Sequence, residues 1–96
     1  MFTPFTERVT LSNKRGLHAR ASAKFVTLAN QFDAQVNVTS HNNRGEETVI
    51  ADSIMELLML GCAYGEDITI SAQGVEGKAA LAALKQLVEN RFDEDE

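Results

Sequence analysis

His18 has more usable chemistry around it than any other residue in the sequence. The run Gly16-Leu17-His18-Ala19-Arg20 sets it between a glycine turn and the start of a helical pattern. Free backbone N–H groups and the positive end of the dipole gather at a helix N-terminus, which suits a phosphoryl group. A neutral imidazole is a competent nucleophile and can form a covalent intermediate. Arg20, two residues on, can pair with phosphoryl oxygens. From residue types alone two readings stand: a phosphoryl acceptor, or a solvated histidine cap beside an ordinary surface arginine.

Other reactive groups offer less. His41 falls in the polar turn Ser40-His41-Asn42-Asn43-Arg44-Gly45, with no ligand-spaced partner, and reads as an exposed loop residue. No metal site is expected. Cys62 is the one cysteine, which excludes an internal disulfide, and it reads as a small buried or half-buried apolar residue. Gly74-Val75-Glu76-Gly77 lacks the spacing of a nucleotide-binding glycine loop, so no cofactor is expected. The ending Asp93-Glu94-Asp95-Glu96 reads as a frayed, solvated tail.

The elements that position His18 follow from periodicity. Phe5 to Leu11 alternates as a strand, Asn13-Lys14-Arg15-Gly16 is turn material, and Ala19 to Asn30 is helical, with Ala21, Phe25, Leu28 and Phe32 on one face. Ala34 to Ser40 and Glu47 to Ala51 form a hairpin. Ser53 to Leu60 is a short helix opened by Ser53-Ile54-Met55-Glu56, a capping box in which Ser53 accepts from the N3 amide and Glu56 reaches back. Ile68 to Ala72 is a fourth strand. Val75 to Asn90 is a last helix with a stripe of Ala80, Ala83, Leu84, Leu87 and Val88. The order β-α-β-β-α-β-α predicts an α+β open-faced sandwich, four antiparallel strands covered on one face by three helices, in a single domain over 1–96.

The short helix is apolar nearly all round. A core-facing stripe of Ile54, Leu57 and Leu60 leaves Met55, Leu58 or Met59 for a docking surface, unless another element covers them. The net charge of −5 is concentrated at the end: before Asp93 there are 10 acids against 9 basic residues. Residues 8–24 hold Arg8, Lys14, Arg15, Arg20 and Lys24 and no acid, a positive region suited to an anionic ligand or an acidic partner. Nucleic acid is not expected, with Tyr64 the sole Tyr or Trp. No run approaches the ~20 apolar residues of a membrane span. Residues Met1 to Glu7 have neither a basic start nor an apolar stretch, so no signal peptide and a cytoplasmic protein are expected.

Two segments carry a resemblance. Gly16-Leu17-His18-Ala19-Arg20-Ala21-Ser22-Ala23 resembles the active-histidine signature of the HPr phosphocarriers of the bacterial phosphotransferase system. Asp52-Ser53-Ile54-Met55-Glu56-Leu57-Leu58-Met59-Leu60-Gly61 resembles their second signature. The spacing and the element order fit as well, over residues 6–91. The resemblance implies that enzyme I phosphorylates His18 on Nδ1, that Arg20 steadies the phosphoryl group, and that an enzyme IIA receives it. It implies that Ser53 is the position a dedicated kinase, HPr kinase/phosphorylase, modifies in some bacteria. With the charge near His18, the expected docking surface is Ala23, Lys24, Ile54, Met55, Leu58 and Met59, on a monomer. Ala21 stands where the family usually has proline, and Glu56 where sugar-system members often have lysine. The run Leu57-Leu58-Met59-Leu60 and the ending Phe92-Asp93-Glu94-Asp95 look more like the nitrogen-related branch, NPr. A regulatory binding module without a relay, and a small hydrolase using His18 and Arg20, are the competing readings.

Overall fold

In the computed structural model, which describes residues 3–42 and 45–94, strand pairing follows the alternation in the sequence. The strands are β1 (Phe5–Thr10), β2 (Gln35–His41), β3 (Thr48–Ile50) and β4 (Asp67–Gln73). They form one antiparallel sheet in the order β1-β4-β2-β3, with Val9 opposite Ile68 and Val38 opposite Ile70. Val9, Val36, Val38, Ile68, Ile70 and Ala72 put an apolar face under the helices. The alternate residues make the other face mostly polar, with Ile50 of β3 exposed on it. There Asp67 accepts from Arg8 Nε at 2.9 Å and Thr10 Oγ1 at 2.6 Å, tying β1 to β4.

The helices are α1 (Ala19–Ala29), α2 (Ile54–Leu60) and α3 (Gly77–Glu89). Phe25 and Ala21 of α1, Leu57 and Leu60 of α2, and Ala80, Leu84 and Val88 of α3 complete one apolar cluster with the sheet. Leu28, Phe32 and Leu87 pack against its margin. The expected α+β open-faced sandwich is the observed architecture, with boundaries shifted by one or two residues.

Three expectations are corrected. His41 is not an exposed loop residue: it ends β2, and its ring lies between Glu46 and Thr69, with 13% of the side chain exposed. Asn43 and Arg44 of the expected turn lie outside the described residues. Ser53 caps α2 by accepting from the Glu56 N–H at 3.4 Å, yet Glu56 makes no return bond, so half the capping box forms.

The tail is the third correction. After α3 the chain makes a tight turn, Arg91–Asp93, in which three successive residues take φ of 57, 55 and 62°. Left-handed backbone costs a non-glycine residue roughly 1–2 kcal/mol. The turn persists because Phe92 inside it is fully buried. Burying such a ring contributes about 1.5–3 kcal/mol. Lys24 Nζ adds a 2.6 Å hydrogen bond to the Phe92 carbonyl, and Glu94 N–H bonds back to the Arg91 carbonyl at 2.9 Å. Asp93 is exposed, but Glu94 turns inward. Asp95 and Glu96 lie outside the described residues.

Candidate functional site

The loop leading to His18 is fixed from both sides. Gly16 N–H bonds to the Asn13 carbonyl at 3.1 Å, and Leu17 N–H bonds to the Cys62 carbonyl at 3.0 Å, just past α2. Gly16 takes a φ of +60°, and a Cβ there would lie 2.5 Å from the Cys62 carbonyl oxygen. Glycine alone fits this approach. Leu17 is buried, so it anchors the loop in the core while His18 emerges beside it. Ser22, buried in α1, donates to the Leu17 carbonyl at 3.2 Å and fastens the loop from the helix side.

His18 is the N-cap of α1. Its backbone is extended, and its Nδ1 accepts from the Arg20 backbone N–H at 3.3 Å. A backbone N–H can only donate, so Nδ1 carries a lone pair and a neutral ring keeps its proton on Nε2. Nε2 faces Glu94 Oε2 at 2.5 Å, with 21% of the His18 side chain and 13% of the Glu94 side chain exposed. The second Glu94 oxygen accepts from Asn13 Nδ2 at 3.1 Å, and the same amide nitrogen donates to the Gly16 carbonyl at 2.8 Å. Burial pushes the Glu94 carboxyl upward. The hydrogen bonds from Asn13 and His18, with the charges of His18 and Arg20, outweigh it and hold the group below its ordinary 4.5.

Nδ1 therefore lies at the start of α1, where the first backbone N–H groups have no intrahelical carbonyl to bond and the Arg20 N–H is held by Nδ1 itself. The guanidinium of Arg20 is exposed at the same end. The His18 imidazole, the helix terminus and the Arg20 side chain share one end of α1. Asn13 and Glu94 also meet at this end of α1, and no motif in the sequence points to them. Nothing in a turn sequence reveals that Asn13 would be fully buried. For Glu94 the available signal is Phe92, an apolar residue inside an acidic ending.

A scan against protein-family models matches residues 5–90 to the phosphotransferase-system HPr component phosphorylation site. The chain belongs to the HPr family. Among curated relatives, it is 41% identical to "Phosphocarrier protein NPr" of Shewanella violacea over 96% of this chain and 97% of that one. It is 42% identical to "Phosphocarrier protein HPr" of Pseudomonas aeruginosa over 92% and 94% of the two chains. Among solved structures, an HPr from Thermoanaerobacter tengcongensis superposes with a TM-score of 0.85 at 35% identity, covering 96% of this chain and 99% of that one. Family membership supports a phosphoryl-carrier role in the phosphotransferase system rather than an enzyme's.

The second signature lies on α2, which packs against α1. Met55 and Met59 are 63% and 70% exposed, and Leu58 is half-buried. Ile54 departs from the core stripe expected for it and is 41% exposed. Each i+3 step falls about 60° short of a full turn, so a row set by Leu57 and Leu60 leaves Ile54 rotated toward solvent. Ala23 and Lys24 are half-buried on α1, and the Lys24 ammonium is engaged by the Phe92 carbonyl. Among the described residues, no three His, Cys, Asp or Glu side chains gather as metal ligands, and no helix is long and apolar enough to cross a membrane.

Proposed function

We propose that this chain accepts a phosphoryl group from phospho-enzyme I on Nδ1 of His18 and passes it to an enzyme IIA. It works in the cytoplasm as a monomer and a single domain, and its modification state regulates carbon or nitrogen metabolism. The observation that carries this reading is the lone pair of Nδ1 at the open end of α1. Arg20, exposed beside it, steadies the transferred group. The chain is a substrate of other enzymes, since it presents an acceptor and positioning groups. Incubation with enzyme I and phosphoenolpyruvate should add one acid-labile phosphoryl group. His18→Ala should abolish the gain and His41→Ala should not. Label retained on histidine in His18→Ala would sink the assignment. Offering the labelled protein to a sugar-type and a nitrogen-type enzyme IIA side by side decides the branch.

A regulatory reading is supported by α2. Ser53 is its cap, and Ile54, Met55 and Met59 are exposed beside it. A kinase acting on Ser53 would add roughly −1.5 to −2 charges at a helix N-terminus, which the fold tolerates. The docking surface would not, because apolar contacts would have to desolvate that charge next to Asp52 and Glu56.

A further inference from the structure

We propose that Glu94 is a positioning residue for phosphoryl transfer at His18. The inference rests on the carrier reading above and deepens it. Three observations carry it. The Glu94 carboxylate meets Nε2 of His18 at 2.5 Å while Nδ1 accepts from a backbone N–H, so the two contacts specify one tautomer from opposite sides of the ring. Asn13, itself fully buried, holds the second carboxylate oxygen and the loop carbonyl of Gly16 through one amide nitrogen. That nitrogen must point at both acceptors, which fixes the amide orientation and leaves its Oδ1 without a partner among the described residues. The turn that delivers Glu94 is held in left-handed backbone by buried Phe92 and by Lys24 on α1. Backbone strain sustained next to a reactive group is characteristic of functional sites.

The chemistry follows from the placement. The Nδ1 lone pair leaves the Arg20 backbone N–H and forms the bond to phosphorus as the bond from phosphorus to the donor breaks, its electron pair leaving with the donor. The proton stays on Nε2 throughout. The ring then carries a positive charge, which a carboxylate at Nε2 stabilises. This is the part an acidic partner plays toward a catalytic imidazole elsewhere: it fixes the tautomer and stabilises the imidazolium without taking the proton. Glu94 does not touch phosphorus.

The test uses the full-length chain and two variants, Glu94→Gln and Glu94→Ala. Glutamine keeps one acceptor for Nε2–H, removes the charge and gives up the bond from Asn13 Nδ2, whereas alanine removes the charge and both acceptors. Acceptance from phospho-enzyme I should slow by about tenfold or more in Glu94→Ala and by less in Glu94→Gln, with both variants folded but melting somewhat below native, since each loses a part-buried hydrogen bond to Asn13. Nitrogen NMR of the His18 ring, recorded without any donor in mildly alkaline buffer, supplies a readout that a merely structural role would not move. The native ring and Glu94→Gln should show a bare Nδ1 and a slowly exchanging proton on Nε2, and Glu94→Ala should lose that proton to fast exchange. Equal acceptance rates in all three proteins, or an Nε2 proton that exchanges no faster in Glu94→Ala, overturns the role of Glu94. A native chain that takes no phosphoryl group overturns the carrier reading, and this role with it.

Discussion

Gly16 brings the chain to His18 through a gap that admits no side chain. Its positive φ alone would cost another residue roughly 1–2 kcal/mol. A methyl group would also meet the Cys62 carbonyl oxygen at 2.5 Å, and backbone cannot rotate aside as a side chain can. Gly16→Ala should therefore destabilise by about 3 kcal/mol or more, counting strain and clash together. In a domain this size that lowers the melting temperature by more than about 10 °C. It should also slow phosphoryl acceptance, because the Leu17 tether to Cys62 must shift. A melting curve within a few degrees of native would show that the loop relaxes freely. At this scale much was legible in the sequence: His18, Arg20 and the glycine turn declare themselves by type and spacing. Asn13 and Glu94 did not, because their roles depend on a contact across 81 residues that no local pattern encodes.

Helix α2 is short and gains its stability from packing and caps rather than from length. Leu57 and Leu60 are buried, Ser53 closes its start, and Gly61 ends it with a φ of 63°. Its solvent side can be altered without cost to the fold. Met55→Lys should change stability by less than ~0.5 kcal/mol. The same change should weaken enzyme I binding by about tenfold, or 1.4 kcal/mol, if this face docks the partner. Ser53→Asp keeps a capping oxygen and adds a charge that the helix dipole favours, so its melting temperature should stay near native while acceptance at His18 slows. Calorimetry and transfer kinetics read both; unchanged kinetics in both variants would reduce Ser53 to a cap and the methionines to ordinary surface. Elements were legible because apolar periodicity switches cleanly between strand and helix along the chain. The Arg91–Asp93 turn was not, since left-handed backbone at arginine and phenylalanine runs against local preference and is imposed by burial of Phe92.

Across the molecule, two carboxylates join segments distant in sequence, and both titrate low. Asp67, held down by the Thr10 hydrogen bond and then by Arg8, links β1 to β4. Glu94 links the C-terminal turn to the His18 loop. A carboxyl with a depressed folded-state value binds its proton more readily when unfolded, so it stabilises above its unfolded value and ceases to as pH falls through the folded one. Stability from these two links should be complete above pH 4.5 and decline below it. Melting temperature followed against pH should show this acid limb, flattened in an Asp67→Asn, Glu94→Gln double variant; an unaltered limb would assign acid lability elsewhere. The bond from Leu17 N–H to the Cys62 carbonyl has its own consequence. It spans the seam between the segment that presents the imidazole and the segment that leaves α2, so this amide, though in a loop, should exchange its hydrogen as slowly as one in a strand. Its protection becomes a strain gauge built into the backbone: a partner pressing on Met55 and Met59 would be registered at the residue next to His18, as a change in one exchange rate.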